Sequence, residues 1–317
     1  MERDIIKRME GAEVYPSKGL GQHILIDETA LNIFSENTVK GGNVIEIGAG
    51  PGNITERIAQ NAKKIVAIEI DRNFEPILSD LQIEHQNIEV IYKDVLNLNL
   101  ANLMKKGSEW QIMSNLPFHI TEPFLKQIIG LPVSEAVLIL GKQMADRIQD
   151  DNPLSFDFTR TGLTVQTFFD SNKLMDLPSR YFYPEPGTDS AIVVLTPREK
   201  AEYRGNRKLS ILRHLFLTES KHQSVGNIIK EAYGKVDDEV IRDKEDRNRY
   251  DRRQTKRDLK IMARNGGYTG EGERSTRYDN GGQLFARLGL SNDILSRSFS
   301  SLDNQDLREL VLALDKI

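Results

Sequence analysis

The chain has 317 residues, 38% hydrophobic and 28% charged with a formal net charge of −4, a composition that supports one large core and a second, smaller domain. It contains no cysteine, which excludes disulfides, thiolate metal sites, iron–sulfur clusters and thiol nucleophiles, and its five histidines show no H-E-x-x-H or other paired spacing, so no catalytic metal is expected. No stretch approaches the roughly 20 apolar residues of a membrane-spanning helix, and MERDIIKRMEGAEVY lacks the apolar block of a signal peptide, so a cytoplasmic protein is expected.

From Asn43 onward the predicted elements alternate. NVIEIG is a β-rich run, GAGPGN a turn, ITERIAQNA a helix and KIVAIEID a second strand. IEVIYKD, WQIMSN and AVLIL read as further strands, and KQMADRI as the helix after the last of them. The alternation predicts an α/β fold: a mostly parallel, doubly wound sheet with helices on both faces. After the apolar strand AIVVLT the composition turns charged in LTPREKAEYRGNRK, which places a domain boundary near Thr196 and divides the chain into 1–196 and 197–317. The second part reads as a smaller helical domain containing LSILRHLFLT, VGNIIKEAY and QDLRELVLALDK, with Leu307, Leu310, Val311 and Leu314 at core spacing.

Residues 1–196 hold 18 Lys+Arg against 27 Asp+Glu, and the remainder 25 against 20, giving −9 and +5. This asymmetry suits either an anionic partner for the C-terminal part or a salt-bridged solvated surface. Lys235 to Lys260 carries 10 basic and 8 acidic residues among 26, and Asn265 to Gly282 is rich in Gly, Ser, Thr and Asn. Together they read as a charged helix or disordered insertion at about 235–283 with a flexible loop, either touching RNA or acting as a solvated linker.

EIGAGPG sets Gly48, Gly50 and Gly52 between a strand and a helix, where the backbone can approach a ligand closely and the helix N-terminus opens toward it. Glu69 ends the next strand, about twenty residues on, where a carboxylate can accept from both hydroxyls of an adenosine ribose, and Asp94 ends the strand after that. In a doubly wound sheet these groups converge on one crevice. A dinucleotide-binding enzyme is the rival, but its fingerprint wants glycine at Asn53 rather than at Gly52.

SNLPFHIT, after WQIMSN, adds a second constellation. The exocyclic amine of adenine is a poor nucleophile because its lone pair is delocalised into the ring. Two acceptors aimed at its two N–H bonds favour a pyramidal nitrogen, and the Asn115 carboxamide oxygen with the Leu116 carbonyl can provide them without a charged base. Pro117 fixes the backbone torsion, and Phe118 offers a face for a base drawn out of RNA. No general base is required, because the methylated ammonium is acidic enough to lose its proton to water.

The G-x-G-x-G turn with strand-end acids resembles S-adenosylmethionine-dependent methyltransferases, and GLGQHILID, EIGAGPGNIT, IVAIEID, NLPF and YFYPEPGTDSAIVVL follow the order found in the rRNA adenine N6-dimethyltransferases. The resemblance spans about residues 17–196 and more loosely the chain's end. It implies a Rossmann-like methyltransferase sheet with S-adenosylmethionine as cofactor, Glu69 holding its ribose, Asp94 its adenine amine and Glu46 lying near its methionine end. It further implies that the Gln22 and His23 segment folds over the cofactor, that Asn115 adjoins both cofactor and target, and that Phe182, Pro184 and Pro186 belong to a loop near the target base. Ribosomal RNA and a ribosomal subunit are the implied partners of a monomeric enzyme in ribosome maturation.

The chain departs from the family's pattern in places. Gly141 and Gln143 replace a usual Gln and Glu, while Ala145 and Arg147 are kept; PEPGTDS lacks the usual Lys-Val pair; and in ESKHQSVGN only Lys221 and Asn227 match the basic run. The long helical ending resembles the KsgA-type small-subunit enzymes. His119 and LFLTESKHQ resemble the Erm-type large-subunit resistance enzymes, and a non-catalytic assembly or transcription factor on the same fold is the third reading.

Overall fold

The computed structural model describes residues 2–104, 108–155, 157–218, 223–233 and 281–317. The chain forms two compact units, Met1–Arg198 and Glu199–Ile317.

In the first unit, a short ribbon pairs β1 (Ile24–Leu25) antiparallel with β8 (Phe182–Tyr183). The main sheet contains β2 (Asn43–Ile47), β3 (Lys64–Glu69), β4 (Ile88–Tyr92), β5 (Trp110–Asn115), β6 (Glu135–Gly141), β7 (Phe169–Leu177) and β9 (Ser190–Pro197). Their spatial order is β4-β3-β2-β5-β6-β9-β7. The strands β2 to β6 run parallel, and β9 runs antiparallel to both β6 and β7. Continuous apolar runs such as those of β2, β3 and β6 are what strands covered on both faces require, and these strands are buried almost throughout.

Among the covering helices, α1 (Glu2–Gly11) ties to α3 (Asn53–Ala59) through Arg8 and Glu56. The helix α2 (Glu28–Glu36) starts on an Asp27 side chain that accepts from the Ala30 N–H, and α4 (Glu75–Glu84) buries Ile77, Leu78 and Leu81. On the other half of the sheet, α5 (Thr121–Gln127), α6 (Lys142–Gln149) and α7 (Arg160–Phe168) follow β5 and β6.

The chain moves outward from β2 to β4, then crosses back to place β5 on the other side of β2. This reversal opens a crevice at the carboxyl ends of β2 and β5, the place where open α/β sheets bind ligands.

The strand β7 is absent from the sequence reading. Its register with β9 slips between Lys173 and Met175, which breaks the apolar/polar alternation that would mark FDSNKLMDL as a strand. Its exposed edge is instead dressed with ion pairs from Lys173 to Asp146 and Asp176.

In the second unit, helices span Arg207–Thr218, 225–233, Gly281–Leu288, Asn292–Ser296 and Asn304–Leu314. Leu307, Leu310, Val311 and Leu314 are buried as their spacing predicts, and Phe216 meets the buried Phe299 edge to face at 4.9 Å. Asp303 caps the last helix with a reciprocal capping box to Asp306. The helix at Gly281–Leu288 begins inside the stretch expected to be a flexible loop, so that expectation fails from Gly281 onward: LFARL supplies an apolar helical face that the glycines before it obscure. Lys221, Lys235 to Lys260 and Asn265 to Asn280 lie outside the described residues. Among the described residues no helix is long and apolar enough to cross a membrane.

Candidate functional site

The turn after β2 is built from three left-handed glycines, with φ of 72° at Gly48, 54° at Gly50 and 82° at Gly52. The Gly48 N–H donates to the Ile68 carbonyl at 2.8 Å. The Gly50 N–H donates to Glu69 Oε2 at 2.7 Å, and Glu69 Oε1 accepts from the Asp71 N–H at 2.8 Å. Glu69 therefore fastens the glycine turn to the end of β3. Burial pushes its carboxyl up from the usual value, the N–H groups of Asp71, Gly50 and Ile70 pull it back, and the Asp71 charge adds to the rise.

Gly52 has a different task. A Cβ there would overlap Leu81 Cδ1 and stand 3.3 Å from Leu78 Cδ2, so the missing side chain lets α3 start against α4. Gly52 is the left-handed N-cap of α3 and does not line the crevice.

One cavity lies at the carboxyl ends of β2, β3 and β5. Its wall brings together Gln22, His23, Gly48, Gly50, Glu69, Asp94 and the whole of Asn115 to Phe118. Gln22 spans the gap between loop and sheet: its Oε1 accepts from the Ser17 N–H and its Nε2 donates to Asp71 Oδ2 at 3.0 Å. The His23 Nδ1–H donates to the Pro184 carbonyl at 2.7 Å, and the ribbon of β1 and β8 fixes this segment beside Phe182. Asp94 is turned into its own loop, accepting from the Leu96 N–H and from Asn97 Nδ2, so each of its oxygens retains one free lone-pair site.

Glu46 stands apart from the cavity wall. It is 1% exposed, on β2, and its Oε2 has no hydrogen-bond partner; the buried Thr55 hydroxyl beside it also lacks one of normal geometry. Burial pushes the Glu46 carboxyl up to about 8, the neighbouring Thr55 side chain partly opposes this, and the Glu69 charge adds to it.

The NLPF segment follows β5 directly. The Asn115 Nδ2 donates to the His23 carbonyl at 2.6 Å. That bond decides which way the carboxamide is turned, and leaves Oδ1 as its uncommitted acceptor. No hydrogen bond among the described residues uses the Leu116 carbonyl, while the Pro117 carbonyl is taken by the Ile120 N–H. Two neighbouring neutral acceptors thus stand open at the cavity. Phe118 is 44% exposed, an unusual position for a large aromatic ring. His119 is exposed, with Nδ1 3.5 Å from where a Cβ on Gly21 would sit, so it packs over the 20–22 turn.

The sequence reading missed Ile70, at 54% exposure, and Leu96, at 37%, both in the cavity wall. Each follows a strand-end acid by one or two residues. An exposed apolar residue at a strand end, where solvated turns are usually polar, is the signal that would have found them. Asp71, which anchors Gln22, was missed for want of any motif.

The doubly wound fold is shared with solved structures. A dimethyladenosine transferase from Plasmodium falciparum superposes with a TM-score of 0.53 at 20% identity, covering 93% of this chain and 98% of that one. The 23S rRNA methyltransferase ErmE superposes with a TM-score of 0.50 at 17% identity, covering 92% and 99%. The fold is that of the Rossmann-like methyltransferases. In sequence, the ribosomal RNA adenine dimethylase family matches residues 17–249. The chain belongs to that family.

Similar proteins include the ribosomal RNA small subunit methyltransferases A of three bacteria. The Clostridioides difficile protein is 34% identical over 59% of this chain and 67% of its own length. That of Oceanobacillus iheyensis is 36% identical over 58% and 65%. That of Alkaliphilus metalliredigens is 32% identical over 72% and 82%. The chain thus spans about two thirds of the length of the first two.

Proposed function

We propose that the protein is an S-adenosylmethionine-dependent enzyme that dimethylates the N6 amine of adenines in small-subunit ribosomal RNA, acting as a cytoplasmic monomer in ribosome maturation. Residues 1–196 carry the chemistry and residues 197–317 grip the RNA. One observation carries this reading: the Asn115 amide is turned so that its Oδ1, with the Leu116 carbonyl, offers two neutral acceptors beside an exposed aromatic ring.

The residues present suit the cofactor. Left-handed glycines give close backbone approach, the Glu69 carboxylate lines the cavity at the strand end, and exposed Ile70 and Leu96 offer apolar surface suited to a purine. When bound, S-adenosylmethionine supplies a methyl group activated by its sulfonium. Glu69 would hold its ribose hydroxyls and Asp94 its adenine amine, with the Gln22 and His23 segment closing one side.

Asn115 Oδ1 and the Leu116 carbonyl accept the two N–H bonds of the target amine and draw its lone pair out of conjugation. Pro117, at φ −56° and ψ 132°, holds the carbonyl direction, and Phe118 stacks on the extruded base. The proton passes to solvent after transfer, so His119 needs no role as a base.

The relatives named above are small-subunit enzymes, which supports that branch over the large-subunit one. The test is to offer separated small and large ribosomal subunits, both lacking native adenine methylation, with labelled cofactor and to map the products. Label at adjacent adenines of the small-subunit RNA is expected. Label confined to the large subunit would sink the proposal.

A further inference from the structure

The wall beside Phe118 holds a polar group that the chemistry above does not use. Ser190 opens β9, is 1% exposed and lines the cavity, yet its Oγ has no hydrogen-bond partner. A buried hydroxyl left unpaired is costly, and a strand serine can usually find a backbone carbonyl.

The direction of this side chain follows from register. Ser190 pairs with Gly141 across β9 and β6. Directly opposed residues in an antiparallel pair project to the same face with Cβ atoms about 5 Å apart. A Cβ on Gly141 would stand 3.5 Å from Cδ1 and Cε1 of the Phe118 ring, so Ser190 projects to the side on which that ring lies. Gly141 has φ −56° and ψ 139°, which any residue adopts, so its backbone does not demand glycine. Its missing side chain leaves the Phe118 ring beside bare backbone, directly across the strand pair from Ser190.

We propose that Ser190 is a specificity-determining residue whose hydroxyl donates to a ring nitrogen of the target adenine, N1 or N7, across the space that Gly141 leaves open beside Phe118. The inference rests on the adenine N6-methylation reading. With Asn115 and Leu116 holding the amine, the ring nitrogens that flank it, N1 and N7, enter the same cavity that Ser190 lines. A base stacked on the exposed Phe118 ring would supply the partner that the Ser190 hydroxyl lacks.

The test measures kcat/KM for Ser190→Ala and the wild type on an RNA hairpin carrying adenosine, 1-deazaadenosine or 7-deazaadenosine at the target position, with melting temperature in parallel. On adenosine the variant is expected to lose about fivefold, the worth of one neutral hydrogen bond, at an unchanged or raised melting temperature. On one of the two deaza substrates the ratio of wild type to variant is expected to fall to near one, because the nitrogen that Ser190 contacts is gone. A variant as active as the wild type overturns the proposal. So does a fivefold ratio that persists on both deaza substrates, or a fall in melting temperature that accounts for the lost activity. A wild type that methylates no adenine in any hairpin or subunit refutes the functional reading itself, a distinct result.

Discussion

Replacing Glu46 by Gln should stabilise the protein, and by an amount that depends on pH in one direction only. The carboxyl ordinarily titrates at 4.5 and here is pushed to about 8 by a site that leaves it 1% exposed, so solvent screening does not discount the effect. Between those two values the unfolded chain has released the Glu46 proton while the folded chain keeps it. Every rise in pH across that window therefore favours unfolding. At about 1.36 kcal/mol per pH unit, the loss reaches roughly 3 kcal/mol at pH 7 and roughly 5 kcal/mol above pH 8, and it is absent below 4.5. Glutamine of the same shape cannot ionise, and its amide can donate to the Thr55 hydroxyl, which has no hydrogen bond of normal geometry. Urea unfolding of both proteins between pH 4.5 and 8.5 should show the stability difference growing in favour of Glu46→Gln as pH rises, above whatever constant offset the amide introduces. A difference that stays flat across this range would refute the reasoning.

Asn115→Ala should lower the methylation rate by roughly 10²- to 10³-fold, the usual cost of removing an aligned polar group at a reacting centre, while leaving RNA binding intact in a gel-shift assay. Glu69→Ala should weaken S-adenosylmethionine binding strongly in calorimetry, since it removes a proposed ribose acceptor and unties Gly50 and Asp71; tighter binding of a nicotinamide dinucleotide would overturn the cofactor assignment. Gly52→Ala should cost about 1–3 kcal/mol in chemical denaturation, from the left-handed φ and the clash with Leu81, with cofactor affinity of the folded protein preserved.

Legibility differed by element, for physical reasons. The strands β2, β3, β5 and β6 are buried on both faces and read as apolar runs, and the amphipathic last helix announced itself by spacing. The edge strand β7 was illegible because a bulge breaks its period. At the site, Gly48, Gly50, Glu69, Asp94 and Asn115 could be placed in one crevice because strand-end positions in a doubly wound sheet converge. Gly52 carried the same motif signal as its neighbours, but the atoms it accommodates are those of Leu78 and Leu81, 26 and 29 residues away in a helix whose packing no local pattern reveals. Ser190 was hidden for a similar reason: its facing partner, Gly141, is set by an antiparallel register between strands separated by a helical excursion.

If Asn115 accepts from the target amine as proposed, its orientation gives the segments at 20–25 and 181–186 a part in the chemistry although neither holds a reacting group. A carboxamide can present either end to a ligand, and only the bond from Nδ2 to the His23 carbonyl fixes which. That carbonyl is in turn held by the bond from His23 to Pro184 and by the pairing of Ile24 with Tyr183. Loosening the ribbon would free the amide to rotate its donor end toward the target amine, where it repels the N–H bonds it should accept. The pairing of β1 with β8 therefore sets the polarity of the site, and a disturbance there should appear as lost turnover before it appears as lost cofactor affinity.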